Sequence, residues 1–174
     1  MSKEKKQSAE NIPQPSLQAF PVSVVYAKED DAMASELKYS LLALEKLQKI
    51  KLHDLSSLTE EGQIKEEDTA QLRNSAMVLI LISPDLMSKD FCYSEEMGIL
   101  AERARLKQQT LLPIILRPTP FWKELSIGKF DELPKDGDAL SEYEELDRAL
   151  FEVAKGVKKH LHKLIEKAHE EVSL

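Results

Sequence analysis

The feature that most constrains the fold is the unbroken apolar run from Ala76 to Ile82. A strand with one face in water alternates apolar and polar residues, and this run shows no alternation. It therefore predicts a strand that is covered on both faces, as in the middle of a parallel sheet with helices on each side. The Ser83–Pro84 pair ends the strand, because proline cannot donate a hydrogen bond to a sheet ladder.

Other apolar segments alternate with segments of helical periodicity. Further strands are predicted over residues 21–26, 50–54 and 111–116, with a fifth, edge strand over 129–133. Helices are predicted where apolar residues recur every three or four positions, at about 33–44, 66–73, 95–104 and 142–170. This alternation predicts an α/β fold, a doubly wound parallel sheet of four to five strands.

Composition and charge exclude several classes of partner. The formal net charge of −7 argues against nucleic acid and against anionic membranes, since both require a basic surface. No apolar run approaches the roughly 18 residues of a membrane span, and the first residues lack the apolar core of a signal peptide. Cys92 is the only cysteine, which fits a reducing compartment. We therefore expect a cytoplasmic protein.

Three regions are predicted along the 174-residue chain. Residues 1–20 are polar and are predicted to be a disordered arm. Residues 21–160 form one domain, and residues 161–174 extend the last helix beyond it. The lysines of that helix, Lys163 and Lys167 among them, alternate with acids and predict a solvated face.

A pair of carboxylates, Glu95 and Glu96, follows the central strand in the first turn of the next helix. In open parallel sheets, ligands bind in the crevice outside the carboxyl ends of the strands. Adjacent helical residues point about 100° apart, so only one of the two glutamates can face that crevice. The alternative is that both simply favour the positive end of the helix dipole.

The residues around this pair resemble a known family. Residues 79–97, read as LILISPDLMSKDFCYSEEM, are similar to the block LLLISPDFLxSDYCYxxEM of bacterial TIR (Toll/interleukin-1 receptor) domains. Supporting segments are His53–Asp54 ahead of a loop that contains Gly62, and residues 113–118 and 133–137. The likeness extends over about residues 20 to 160.

The resemblance implies a flavodoxin-like fold and, as in many bacterial members, cleavage of the nicotinamide–ribose bond of NAD⁺. The spacing to Met97 assigns the family's essential glutamate to Glu96, whereas counting from Cys92 assigns it to Glu95. A carboxylate suits the chemistry, because the sugar becomes oxocarbenium-like as nicotinamide leaves. No metal is expected, and no cofactor beyond NAD⁺ as the substrate.

The resemblance also implies a cleft for the dinucleotide between the loops 26–31 and 55–65, with two aromatic residues near its wall. The residues expected to bind NAD⁺ are Tyr26, Ala27, Asp30, His53, Asp54, Phe91 and Tyr93.

A second hypothesis is a non-catalytic scaffold. The sequence departs from the family at Val25, where a serine is expected beside nicotinamide, and at Leu55 and Ile64 in the second loop. Such a scaffold would self-associate through TIR–TIR contacts of loop 55–65 and of the helix that Phe91 leads into, and it would recruit a sensor, another TIR protein or an effector. A phosphorylated receiver domain is excluded, because Ser83 stands where the receiver's aspartate should be.

Overall fold

The structure is a computed structural model that describes residues 18 to 173. Nearly all of the predicted arm, residues 1–20, lies outside the described residues. Four parallel strands form the sheet in the order β2-β1-β3-β4. They are β1 (Phe20–Val25), β2 (Ile50–Asp54), β3 (Met77–Ile82) and β4 (Thr110–Ile115). This is the flavodoxin-like order, and it confirms the predicted fold class.

Helices cover both faces of the sheet. They are α1 (Asp31–Ser40), α2 (Leu42–Lys46), α3 (Glu66–Asn74), α4 (Pro84–Met87), α5 (Glu95–Arg105) and α6 (Leu146–Val172). Short 3-10 turns lie at Lys28–Asp30, Asp90–Tyr93, Trp122–Glu124, Ser126–Lys129 and Leu140–Glu142. Within residues 18–173, none of the helices is both long and apolar enough to span a bilayer.

The central strand β3 is buried over its whole length. Its residues Met77, Leu79 and Leu81 pack in the cluster that includes α1 and α6. Its residues Val78, Ile80 and Ile82 pack in the opposite cluster, with α3 and α5. Two apolar layers therefore enclose this strand, which explains why its sequence shows no alternation.

The predicted fifth strand over 129–133 is wrong as a full strand. Only Leu133 pairs with β4: its amide donates to the carbonyl of Pro113, and its carbonyl accepts from the amide of Ile115. The 3-10 turn Ser126–Lys129 ends where the strand was predicted to begin, and in it Gly128 packs against the backbone of Lys123 too closely for any side chain. The first three residues of β4 consequently have no strand on their outer side.

Two other boundaries differ from the expectation. The last helix begins at Leu146 rather than near residue 142, because residues 140–142 form a separate 3-10 turn. The segment after β3, expected as a loop, contains the short helix α4, which Ser83 caps by accepting from the amide of Leu86. The cap and the proline that follows it explain this turn.

Candidate functional site

A charged network lies beyond the carboxyl ends of β1, β3 and β4. Asp30, in the turn after β1, is buried and accepts a hydrogen bond from Ser83 at the end of β3. Arg117, just after β4, donates to Asp30 Oδ1 from Nε at 3.2 Å and from Nη2 at 2.9 Å. Arg117 also pairs with Asp85. Ser83 and Arg117 therefore occupy both carboxylate oxygens of the buried Asp30 and balance its charge.

A second network joins β1 and β2 at the same edge. The buried Tyr26 donates its hydroxyl proton to Asp54 at 2.6 Å and accepts from Lys38 at 2.9 Å, and the same hydroxyl lies 3.2 Å from Asp31 Oδ1. Lys38 also pairs with Asp54 at 2.5 Å. Three of the predicted NAD⁺-binding side chains, Tyr26, Asp30 and Asp54, are thus engaged in contacts within the fold.

The Tyr26 network shifts the pKa values of its members. Burial tends to raise the pKa of Asp54, but hydrogen bonds from Lys38, Ser56 and Tyr26 outweigh it and lower that pKa to about 2. Burial and the bond to Asp54 raise the pKa of Tyr26. Burial and the nearby Lys51 lower the pKa of His53. Asp54 is therefore an ionised hydrogen-bond acceptor at neutral pH.

The two glutamates open α5 behind a serine cap, in which Ser94 Oγ accepts from the amide of Met97 at 3.3 Å. Glu96 makes a bidentate ion pair with Arg73 at the end of α3, with both hydrogen bonds at 2.9 Å. Its side chain is 18% exposed, while Glu95 is exposed. The two carboxylates therefore have different surroundings, and Arg73 fixes the orientation of only one.

The aromatic residues before α5 also differ in burial. Phe91 is completely buried among the residues below α5. Tyr93 is exposed and donates its hydroxyl to the carbonyl of Met87 at 2.7 Å. Between them, burial raises the pKa of the Cys92 thiol to about 12, so this thiol is not a nucleophile at neutral pH.

A polar cleft of about 270 Å³ lies under loop 55–65. The loop is fastened to the turn before α5: Phe91 donates its amide to the carbonyl of Gly62 at 2.9 Å, and Asp90 donates to Glu61 at 3.3 Å. The residues that line the cleft are Lys28, Glu29, Ser56, Ser57, Leu58, Thr59, Glu60, Gly62 and Lys89. Neither Glu95 nor Glu96 is among them.

The predicted site residues therefore gather at one edge of the sheet but not around one cavity. Tyr26 and Asp54 share one network, and Asp30 belongs to the neighbouring network of Arg117. The buried Ala27 lies between the two networks, and its carbonyl accepts from the amide of Asp30. The roles of all these residues stay predictions. Arg117, the partner of Asp30, was not among the predicted site residues. Its position just after a strand could have indicated that it lies at this edge of the sheet.

A parallel sheet in this order, with a capped acidic helix after its central strand, defines a flavodoxin-like domain whose ligand edge lies at the carboxyl ends of the strands. Comparison with protein families is more specific. The family model of the TIR domain matches residues 22–147, and the chain belongs to the TIR domain family. This confirms the resemblance found in the sequence.

Individual relatives add little about activity. The uncharacterized protein y4lF of Sinorhizobium fredii (strain NBRC 101917 / NGR234) is 26% identical over 133 residues, which are 76% of this chain and 41% of y4lF. The chain thus spans less than half the length of that relative. Among solved structures, the TIR domains of the activated Roq1 resistosome, which directly recognises the pathogen effector XopQ, match 86% of this chain and 99% of theirs, with a TM-score of 0.44 and 12% identity.

Proposed function

We propose that the chain is an NAD⁺ glycohydrolase in which Glu96 acts at the ribose. The observation that carries the proposal is the setting of this carboxylate in the first turn of α5. It is mostly buried, and Arg73 holds it by two hydrogen bonds of 2.9 Å. An oriented anion of this kind stabilises positive charge that develops on a sugar, provided that the substrate can approach it.

The chemistry requires little else from the protein. When the bond between nicotinamide and ribose breaks, its electron pair moves to the positively charged ring, which leaves as neutral nicotinamide without needing a proton. The sugar becomes oxocarbenium-like, and a carboxylate beside it lowers the energy of that state. Water then adds to the anomeric carbon and releases a proton, which gives ADP-ribose.

The ion pair with Arg73 has a consequence for this mechanism. Arg73 both orients Glu96 and balances part of its charge, so the positive charge that develops on the ribose competes with Arg73 for the carboxylate oxygens. Loop 55–65, which lies against the turn before α5, is the adjacent segment whose displacement would open this region. We infer that TIR–TIR contacts between copies move this loop and bring the cleft and the glutamate together.

The test is nicotinamide release from NAD⁺ by concentrated protein, with and without a crowding agent. Glu96→Gln should reduce the rate at least ~100-fold, as is usual when a group that stabilises the transition state is lost. Glu102→Gln is the matched control, because it removes a carboxylate that pairs with an arginine, Arg105, farther along the same helix. The control should keep the wild-type rate.

Two outcomes would change the assignment. If Glu95→Gln abolishes release and Glu96→Gln does not, the role belongs to Glu95. If both variants release nicotinamide as fast as the wild type, the glycohydrolase proposal is wrong at this site. Circular dichroism of each variant shows whether the fold is retained.

The second candidate, a non-catalytic scaffold, is favoured by a separate observation. Tyr26, Asp30 and Asp54 use their polar atoms within the fold. Tyr93 and Phe121 are meanwhile 64% and 76% exposed, which leaves their rings accessible to a partner. Concentrated protein that sediments as an oligomer and leaves NAD⁺ intact would support the scaffold.

A further inference from the structure

A groove of about 490 Å³ lies at the opposite end of the sheet from the glutamates. It runs along the outer side of β4 at its amino-terminal end, where the missing fifth strand leaves the sheet uncovered. The turn between α5 and β4 forms one wall, and α6 forms another. Its volume falls within the roughly 300–1,000 Å³ of pockets that hold small molecules.

The charge of the groove is opposite to that of the whole chain. Lys107, Lys163 and Lys167 line it together with His160, against a single acid, Asp131. On a chain with a net charge of −7, this local excess of cations marks a site for an anion.

Helix geometry explains how the cations converge. His160, Lys163 and Lys167 are three and four residues apart on α6, so they share one face. Lys167 extends across the groove and donates to the carbonyl of Lys107 at 2.9 Å, which fixes the end of α6 to the α5–β4 turn. His160 is oriented by a hydrogen bond of 2.9 Å between Nδ1 and the carbonyl of Gly156. The expectation that Lys163 and Lys167 belong only to a solvated face is therefore incomplete.

The rest of the lining suits a planar organic group. Phe130 and Leu164 form an apolar wall, with Ala104 and Ala76 beside it. Gln109 at the floor is 5% exposed, and its amide donates to the carbonyls of Leu72 and Ser75 at 2.8 Å. Its Oε1 is buried and has no hydrogen-bond partner among the described residues. This atom is shielded from solvent, so the contacts that the groove offers to an organic group come from its apolar side chains.

We propose that this groove binds a nucleotide, with its phosphates on the lysines and its base against the apolar wall. The lysines supply the charge-assisted hydrogen bonds that phosphate oxygens accept. The apolar wall gives a flat base a surface to pack against. The groove is separate from the α5 glutamates, so this site does not depend on the proposed glycohydrolase activity.

The test is calorimetric titration of the full chain with ATP, inorganic triphosphate and adenosine at low ionic strength. ATP should bind at least ~10-fold more tightly than triphosphate, and adenosine should show no saturable binding, because each lacks one half of the contacts. Lys163→Glu should weaken ATP binding at least ~10-fold, since it replaces an attraction by a repulsion. The double variant Lys107→Glu/Lys163→Glu should bind no ATP.

The matched control is Lys158→Glu, which is exposed, lies outside the groove and is five residues from Lys163, on another face of the same helix. It makes the same change of net charge and should alter ATP affinity by less than about twofold. Equal weakening by Lys158→Glu and Lys163→Glu would overturn the proposal, because it would show a general charge effect.

Three other results would also overturn it: no binding of ATP by the folded wild type, triphosphate binding as tightly as ATP, or an acidic peptide binding as tightly as ATP. The second would reduce the groove to a patch for anions, and the third would make it a surface for a macromolecule. Thermal unfolding of every variant establishes that the fold is intact.

Discussion

Charged side chains are paired at one end of the sheet and surround an open groove at the other. At the carboxyl ends of the strands, acids and bases pair with one another, and Asp30 is buried between Ser83 and Arg117. At the amino end of β4, lysines surround an open groove that holds one acid. Charged residues at the carboxyl edge, where ligands bind in open parallel sheets, can therefore stabilise the fold, whereas charged residues elsewhere remain available to a ligand.

The difference also limits where chemistry can occur. A carboxylate that already accepts from an arginine and a serine has little capacity left for a substrate. In α5, the exposed Glu95 is the acid that a ligand can engage with little loss, whereas a ligand can engage Glu96 only in competition with Arg73. At the amino end, the lysines need no rearrangement of the core to meet an anion.

The largest expected effect comes from the buried acid. Asp30→Ala should lower the free energy of unfolding by about 2–4 kcal/mol, because it leaves Ser83 and Arg117 without their acceptor. Urea denaturation measures the loss. Lys163→Met, which removes a charge at the other end, should change the same quantity by less than about 0.5 kcal/mol. Equal changes in the free energy of unfolding for Asp30→Ala and Lys163→Met would show that the two ends do not differ in this way.

A smaller effect is expected at loop 55–65. Gly62 has φ +82°, and a side-chain carbon there would lie 2.7 Å from Cβ of Lys89. Gly62→Ala should therefore cost about 1–2 kcal/mol and detach the loop from the turn before α5.

Gly98→Ala is the matched control for Gly62→Ala, since nothing lies within 4 Å of the added carbon and the residue is helical. The control should stabilise the protein by about 0.5–1 kcal/mol. Thermal unfolding and hydrogen exchange of the loop amides measure both effects. A stable Gly62→Ala protein with protected loop amides would contradict the prediction.

The smallest effect concerns acid stability. The pKa of Asp54 is about 2 in the folded chain, below its ordinary value of 3.8. The ionised form therefore stabilises the fold above about pH 4, and this contribution is lost as the pH falls toward 2. Because Asp54 is two-fifths exposed, solvent screening limits the contribution to about 1 kcal/mol or less.

Urea denaturation of the wild type and of Asp54→Asn at several pH values isolates that contribution. The difference in unfolding free energy between them should shrink between pH 4 and pH 2. A difference that stays constant over this range would show that Asp54 has no role in acid stability.

The fold could be predicted wherever the signal was local. The apolar run from Ala76 to Ile82 predicts a strand buried on both faces, and β3 is buried over its whole length. The fifth strand was overpredicted because residues 129–133 carry an apolar pattern. The 3-10 turn at Ser126–Lys129 and the tight packing of Gly128 cannot be seen in that pattern.

The site was harder to predict because its contacts are distant in sequence. Asp30 and Arg117 are 87 positions apart, and Arg73 and Glu96 are 23 apart. No periodicity links such residues, so only the tertiary structure brings them together. The groove was missed for the same reason: Lys107 and Lys163 lie on different elements, and the alternation of charge along α6 concealed which lysines share a face.

The most direct test of two separate sites is an amide chemical-shift map of the ¹⁵N-labelled Glu96→Gln chain, titrated separately with NAD⁺ and with ATP. The substitution preserves NAD⁺ during the experiment. We predict that NAD⁺ shifts the amides of loop 55–65 and the first turn of α5, which ATP leaves unchanged, and that ATP shifts those of residues 107–110 and the neighbourhood of Lys163. NAD⁺ that leaves loop 55–65 and α5 unshifted, or ATP that shifts them, would contradict this prediction.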